Sequence, residues 1–201
     1  TTKNLQPYHN TVWLIVRWFI NTMQPHCHIS IKCISSSILG FPVVGFSGSR
    51  NPYSMASNSI SNLLPKLAGY SGVVGVGCAK GVDKLVRSYF PQAKVFKVQP
   101  PINPKAFALR STRLVSWVVA SSGLLIAFPS TSCPSSVTPA IVFHGHGSGT
   151  WGSVALAIGM GASVLVFIHS SSGNIFPAPQ ILARHFKQLG FSLGGYWWLA
   201  G

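Results

Sequence analysis

Three short stretches of this sequence carry the residue types that hold phosphates: SGSR (47–50), GCAKG (77–81) and GHGSGT (145–150). Glycine lets a backbone approach a ligand closely and bares consecutive N–H groups. A helix that begins just after such a loop adds the positive end of its dipole. Gly147, Ser148, Gly149 and Thr150 run into an apolar segment rich in small residues, and so form a candidate anion site. Ser47, Gly48 and Ser49 offer amides and hydroxyls, and Arg50 offers a rigid fork of donors. Gly77, Cys78, Ala79 and Lys80 make the middle loop, with Asp83 close behind. Any one of these would serve as a tight turn. All three at strand ends favour a phosphate or nucleotide site. None matches GxxxxGK(S/T), or GxGxxG in a first strand–helix turn, which argues against a kinase or an ordinary NAD enzyme.

What is missing narrows the chemistry further. Fifteen Lys and Arg face a single acidic residue, Asp83. An ordinary domain is roughly a quarter charged, with about half of those residues acidic. Cleavage of a glycosidic bond normally uses carboxylates as acid, base or nucleophile, and here only one exists. The net charge of +14 attracts polyanions in a salt-dependent way. The cations are dispersed rather than clustered, so the basic character comes from depletion of acids. Cys27, Cys33, Cys78 and Cys133 show no paired CxxC spacing. His26, Cys27 and His28 are adjacent, and adjacent residues rarely converge on one ion even with Cys33 nearby. Free, mostly buried thiols are expected, with no metal and no cofactor.

The elements that must position these loops follow from apolar periodicity. A short β-rich run ending in a Gly/Ser turn is expected at 42–50, a buried strand ending in Gly at 71–81, and further strands at 93–98, 123–128 and 162–168, each built on a nearly continuous apolar run. Helical spacing marks 57–67, 80–90, 104–121, 149–160 and a final helix at 177–189, followed by an aromatic tail, GYWWLAG. Alternating strands and helices predict an α/β fold: a three-layer, Rossmann-like parallel sheet with helices on both faces. Such sheets bind ligands at the carboxyl ends of their strands, where all three loops fall. Residues 1–40 lack that regularity and read as an appended arm that packs on the domain or mediates assembly; residues 41–201 form the domain. The apolar runs 12–20 and 154–168 are too short to span a bilayer, and no signal-peptide cleavage pattern is evident. The expectation is a cytoplasmic protein without a membrane partner.

GFSGSRNP (45–52), GCAKGVDKLVRSYFP (77–91), the Arg110/Arg113 helix before LLIAFPS (124–130) and GSGTWGSVALAIGMGASVLVF (147–167) together resemble the SLOG group of Rossmann-like proteins. This group takes in the DNA-processing protein A family, the YspA-like proteins and the LOG phosphoribohydrolases. The resemblance covers 43–168, with the motifs in family order. It implies a nucleotide or single-stranded nucleic acid in a shared cleft, with Arg110 as a phosphate clamp. LOG enzymes carry a glutamate just after their GGxGT loop. Here Trp151, Gly152 and Ser153 follow GSGT, so a non-catalytic binding module is the expectation, with a nucleotide N-glycosidase lacking the usual glutamate as the alternative. A structural, self-assembling role through the arm and the tail is a third reading, and a homo-oligomer is expected. Asp83 reads as a first-turn helix residue that could also orient Lys80 or a ribose hydroxyl. Arg113 reads as a solvated neighbour of Arg110 or as a second clamp. His144 and His146 read as loop histidines near the phosphate.

Overall fold

The strand residues sort by parity. Val44 and Phe46, Leu124, Ile126 and Phe128, and Leu165 and Phe167 are buried in one apolar cluster. Their sequence neighbours Val43, Leu125 and Ala127, and Val164, Val166 and Ile168, are buried in another. Successive side chains of a strand point to opposite faces, so two clusters mean a sheet covered on both sides.

The structure, a computed structural model, describes residues 28–52, 54–143, 148–170 and 175–201. Its elements in chain order are α1 (Ile31–Leu39), β1 (Val43–Gly48), α2 (Ser54–Leu63), a 3₁₀ turn (Leu64–Leu67), β2 (Val73–Gly77), α3 (Val82–Tyr89), β3 (Lys94–Phe96), α4 (Pro104–Ala120), β4 (Leu124–Phe128), α5 (Gly149–Gly159), β5 (Ser163–His169), α6 (Gln180–Ala183), β6 (Lys187–Ser192) and β7 (Gly195–Ala200). One seven-stranded sheet has the order β3-β2-β1-β4-β5-β7-β6. β1 to β5 pair in parallel, and β7 pairs antiparallel with both β5 and β6. The first cluster takes in Ile34 and Ile38 of α1, Ile60 and Leu63 of α2, and Val82 and Val86 of α3. The second takes in Leu114, Val115 and Val118 of α4 and Trp151, Val154 and Ala155 of α5. This is the expected α/β architecture, Rossmann-like in its parallel core. Gly75 lets α4 lie close to the sheet, because a Cβ there would overlap the Trp117 ring. No helix among the described residues is long and apolar enough to cross a membrane.

The chain's last quarter departs from the sequence expectation. The helix ends at Ala183, and the aromatic tail is an interior strand. β6 turns into β7 through Leu193 and Gly194, both with positive φ (54° and 78°). A two-residue loop with that backbone matches the twist of a tight hairpin. Trp197 is fully buried, with its ring 4.9 Å from Phe167 and 6.2 Å from Phe128. The tail is therefore core and not an exposed adhesive patch.

Residues 28–40, expected to belong to an arm, pack on the domain. Ile29 N–H donates to the Phe191 carbonyl at 3.1 Å, and Ser30 caps α1. Ile34 and Ile38 then enter the core. The apolar run 11–20, the part of the arm expected to drive assembly, lies outside the described residues, as do His26 and Cys27. We predict that Ile38→Ala costs about 2–5 kcal/mol of stability, the usual range for truncating a core isoleucine. Urea unfolding measures it, and an unchanged midpoint would detach α1 from the core.

Candidate phosphate-binding cleft

Strand order reverses between β1 and β4. The chain leaving β1 builds α2 on one face, and the chain leaving β4 builds α5 on the other. The loops part at the carboxyl ends, where Gly48 pairs with Phe128, and a crevice opens there. It encloses about 1150 Å³.

Each wall can be traced to local structure. Beyond β1, Ser49 N–H donates to the Phe128 carbonyl at 3.1 Å, and the Ser49 carbonyl accepts from Val82 N–H at 3.1 Å. This threads the loop between β4 and the start of α3. Gly81 sits at φ +72°, where a Cβ would press on the Ser49 and Arg50 carbonyls, so both its conformation and its close approach call for glycine. Ser49 Oγ accepts from Asn51 N–H at 3.1 Å and from the Ser130 hydroxyl at 2.8 Å. The helix starts contrast. Asn103 caps α4 by accepting from Ala106 N–H at 2.9 Å. Ser148 at the start of α5 makes no side-chain cap.

Asp83 is buried, and its Oδ2 accepts from Arg110 Nη1 at 2.7 Å and from Ala79 N–H at 3.1 Å. A Cβ on Gly77 would fall on the Arg110 guanidinium and on Asp83 Oδ2, so glycine there makes room for the pair. Arg87, four residues after Asp83, donates to the Gly77 carbonyl at 2.5 Å and to the Ala79 carbonyl at 2.9 Å. The middle loop is thus pinned by one carboxylate and one guanidinium.

Of the residues singled out in the sequence, Ser47, Gly48, Ser49, Arg50, Ala79, Asp83, Arg110, Ser148, Gly149 and Thr150 line the cleft together. Gly77, Cys78 and Lys80 do not. Cys78 Sγ instead accepts from Val98 N–H at 3.4 Å. Arg113 donates to the Lys97 carbonyl and also lies outside the lining. Gly147, His144 and His146 fall outside the described residues. Asp83 engages Arg110 rather than Lys80. Arg110 still lines the cleft, and its Nε is buried without a hydrogen-bond partner among the described residues. Sequence reading passed over Arg87, Asn51, Ser130, Thr131, Phe107 and Phe143, the last five of which line the cleft. The Asp83–Arg87 spacing of one helical turn was the available signal for Arg87.

Ser153 occupies the last of the three positions after GSGT and is buried, its hydroxyl donating to the Gly149 carbonyl at 2.9 Å. Trp151 fills the space beneath, fully buried, with Nε1–H donating to the Thr131 carbonyl at 2.7 Å. Burial pushes the Cys133 thiol up to about 12, which keeps it a neutral packing residue at physiological pH. No group of side chains suited to a metal occurs among the described residues. Comparison with known protein families, curated proteins and solved structures returns no match.

The ion pair gives a stability test. Asp83→Ala leaves a guanidinium in the interior without its partner, at a cost of about 3–5 kcal/mol. Replacing both groups, Asp83→Leu with Arg110→Met, should recover most of that loss. Denaturant unfolding of the single and double variants measures both. A single-variant loss below about 1 kcal/mol would rank the pair with weak surface bridges.

Proposed function

We propose that this chain is a nucleotide-binding module of the SLOG type, which holds a phosphate of a nucleotide or of single-stranded nucleic acid without cleaving it. The observation that carries the reading is the convergence of the Ser47–Arg50 loop and the start of α5 on one cleft where β1 and β4 part. Backbone amides at a helix start attract an anion, and hydroxyls and a guanidinium at hydrogen-bonding range hold it. Net charge of +14 favours an anionic partner at long range. The motif order across 43–168 supplies the family half of the proposal.

Cleavage of an N-glycosidic bond is the competing reading. The chemistry of the sole carboxylate disfavours it, since Asp83 already binds Arg110 and the Ala79 amide. An acid or base needs a lone pair or proton within reach of substrate.

Calorimetric titration of the full chain at low salt, with adenosine monophosphate and with a short single-stranded oligonucleotide, tests the proposal. Arg50→Ala and Thr150→Ala should each weaken binding by about 1–3 kcal/mol, the worth of a hydrogen bond to a charged group. Unchanged affinity in both variants would remove the cleft from the function. The same samples should contain no free base above background. Steady base release would instead support the N-glycosidase.

A further inference from the structure

The cleft has a half that a bare phosphate would not use. Facing the hydroxyl-rich wall, the start of α4 brings Ile102, Pro104 and Phe107, interleaved with Asn103 and Lys105, and the loop ahead of α5 brings Phe143. Ile102 is 73% exposed, a large apolar side chain held in water at the mouth. The Arg50 guanidinium lies 5.3 Å from the centre of the Phe107 ring and joins the loop after β1 to α4. Arg50 is exposed and Phe107 half-buried, and both line the cleft, so the pair puts a cation and an aromatic ring side by side on its wall. Phe143 lies against α5 because Gly152 has no side chain; a Cβ there would overlap the ring. Planar faces of this kind attract planar heteroaromatic rings, through stacking on phenyl and on guanidinium alike.

We propose that Arg50 and Phe107 form a base-stacking platform that selects a nucleoside phosphate over a simple phosphate. The base rests on the platform while the phosphate sits by the start of α5. This rests on the phosphate reading of the cleft given above. A free mononucleotide and the terminal nucleotide of a single strand share the required chemistry.

The test is a set of titrations of the full chain with adenosine monophosphate, ribose phosphate, inorganic phosphate and a short single strand bearing a terminal phosphate. Adenosine monophosphate should bind at least about tenfold more tightly than ribose phosphate, the contribution of one stacked base. Phe107→Leu should abolish that advantage, lowering adenosine monophosphate affinity far more than ribose phosphate affinity, and Phe107→Tyr should restore it. Thermal unfolding of both variants should match the parent, and the tyrosine variant separates loss of stacking from loss of fold. Tighter binding of the strand than of the mononucleotide, with the same Phe107 dependence, supports the platform with a strand end as its occupant. The reverse order supports it with a free nucleotide. Equal affinity for adenosine monophosphate and ribose phosphate, or a Phe107→Leu variant that keeps the difference, overturns the platform and leaves the phosphate site standing. No binding of any of the four probes overturns both.

Discussion

Asp83 and Arg110 join the two helices that frame the cleft, α3 on one face of the sheet and α4 on the other. The pair sits over Gly77 at the carboxyl end of β2, where any larger residue would displace it. Its carboxylate also fixes the Ala79 amide. No second acid exists in the chain, so no other side-chain pair of this kind can form. Taking two charges out of water costs several kcal/mol per ion, about as much as their attraction returns. The return here is geometric: the guanidinium is held at the cleft wall, with Nε unpartnered among the described residues. The remaining cationic side chains, unopposed by carboxylates, set the long-range field.

The sheet order explains why the candidate residues meet although 47–50 and 148–150 are about a hundred positions apart in sequence. β1 and β4 are neighbours, and their following helices lie on opposite faces, so the loops cannot close over each other. Glycines at 45 and 75 accommodate Val118 and Trp117 of α4, which lies directly on the sheet. The cleft is thus a consequence of chain winding, and its polarity a consequence of which residues occupy the two loops.

Much of this was legible in the sequence. Apolar runs such as VVGF, LLIAF and SVLVF have the continuous character of strands covered on both faces, and the helices between them start and stop close to the expected positions. The C-terminal region was not legible as a hairpin. Leu182, Phe186 and Leu189 fall at spacings a helix also satisfies, and pairing with β5, a tertiary contact, decides for strands. The Leu193-Gly194 turn was the local signal that favoured the hairpin. At the site, glycine-rich composition identified loops at the sheet edge but could not show which way their polar groups face. In the 77–81 loop two carbonyls point to Arg87 and an amide to Asp83. Phe107 on a helix reads as core until the neighbouring loop places Arg50 over it.

The central claim is that a phosphate-bearing ligand is held by the loop after β1 together with the first turn of α5. Amide hydrogen exchange of the full chain, with and without saturating adenosine monophosphate, addresses it most directly. Binding across the cleft should slow exchange at 47–51 and 148–151 together, and leave the β6–β7 hairpin unchanged. Unaltered exchange in both cleft segments, or protection confined to the hairpin, would contradict the account.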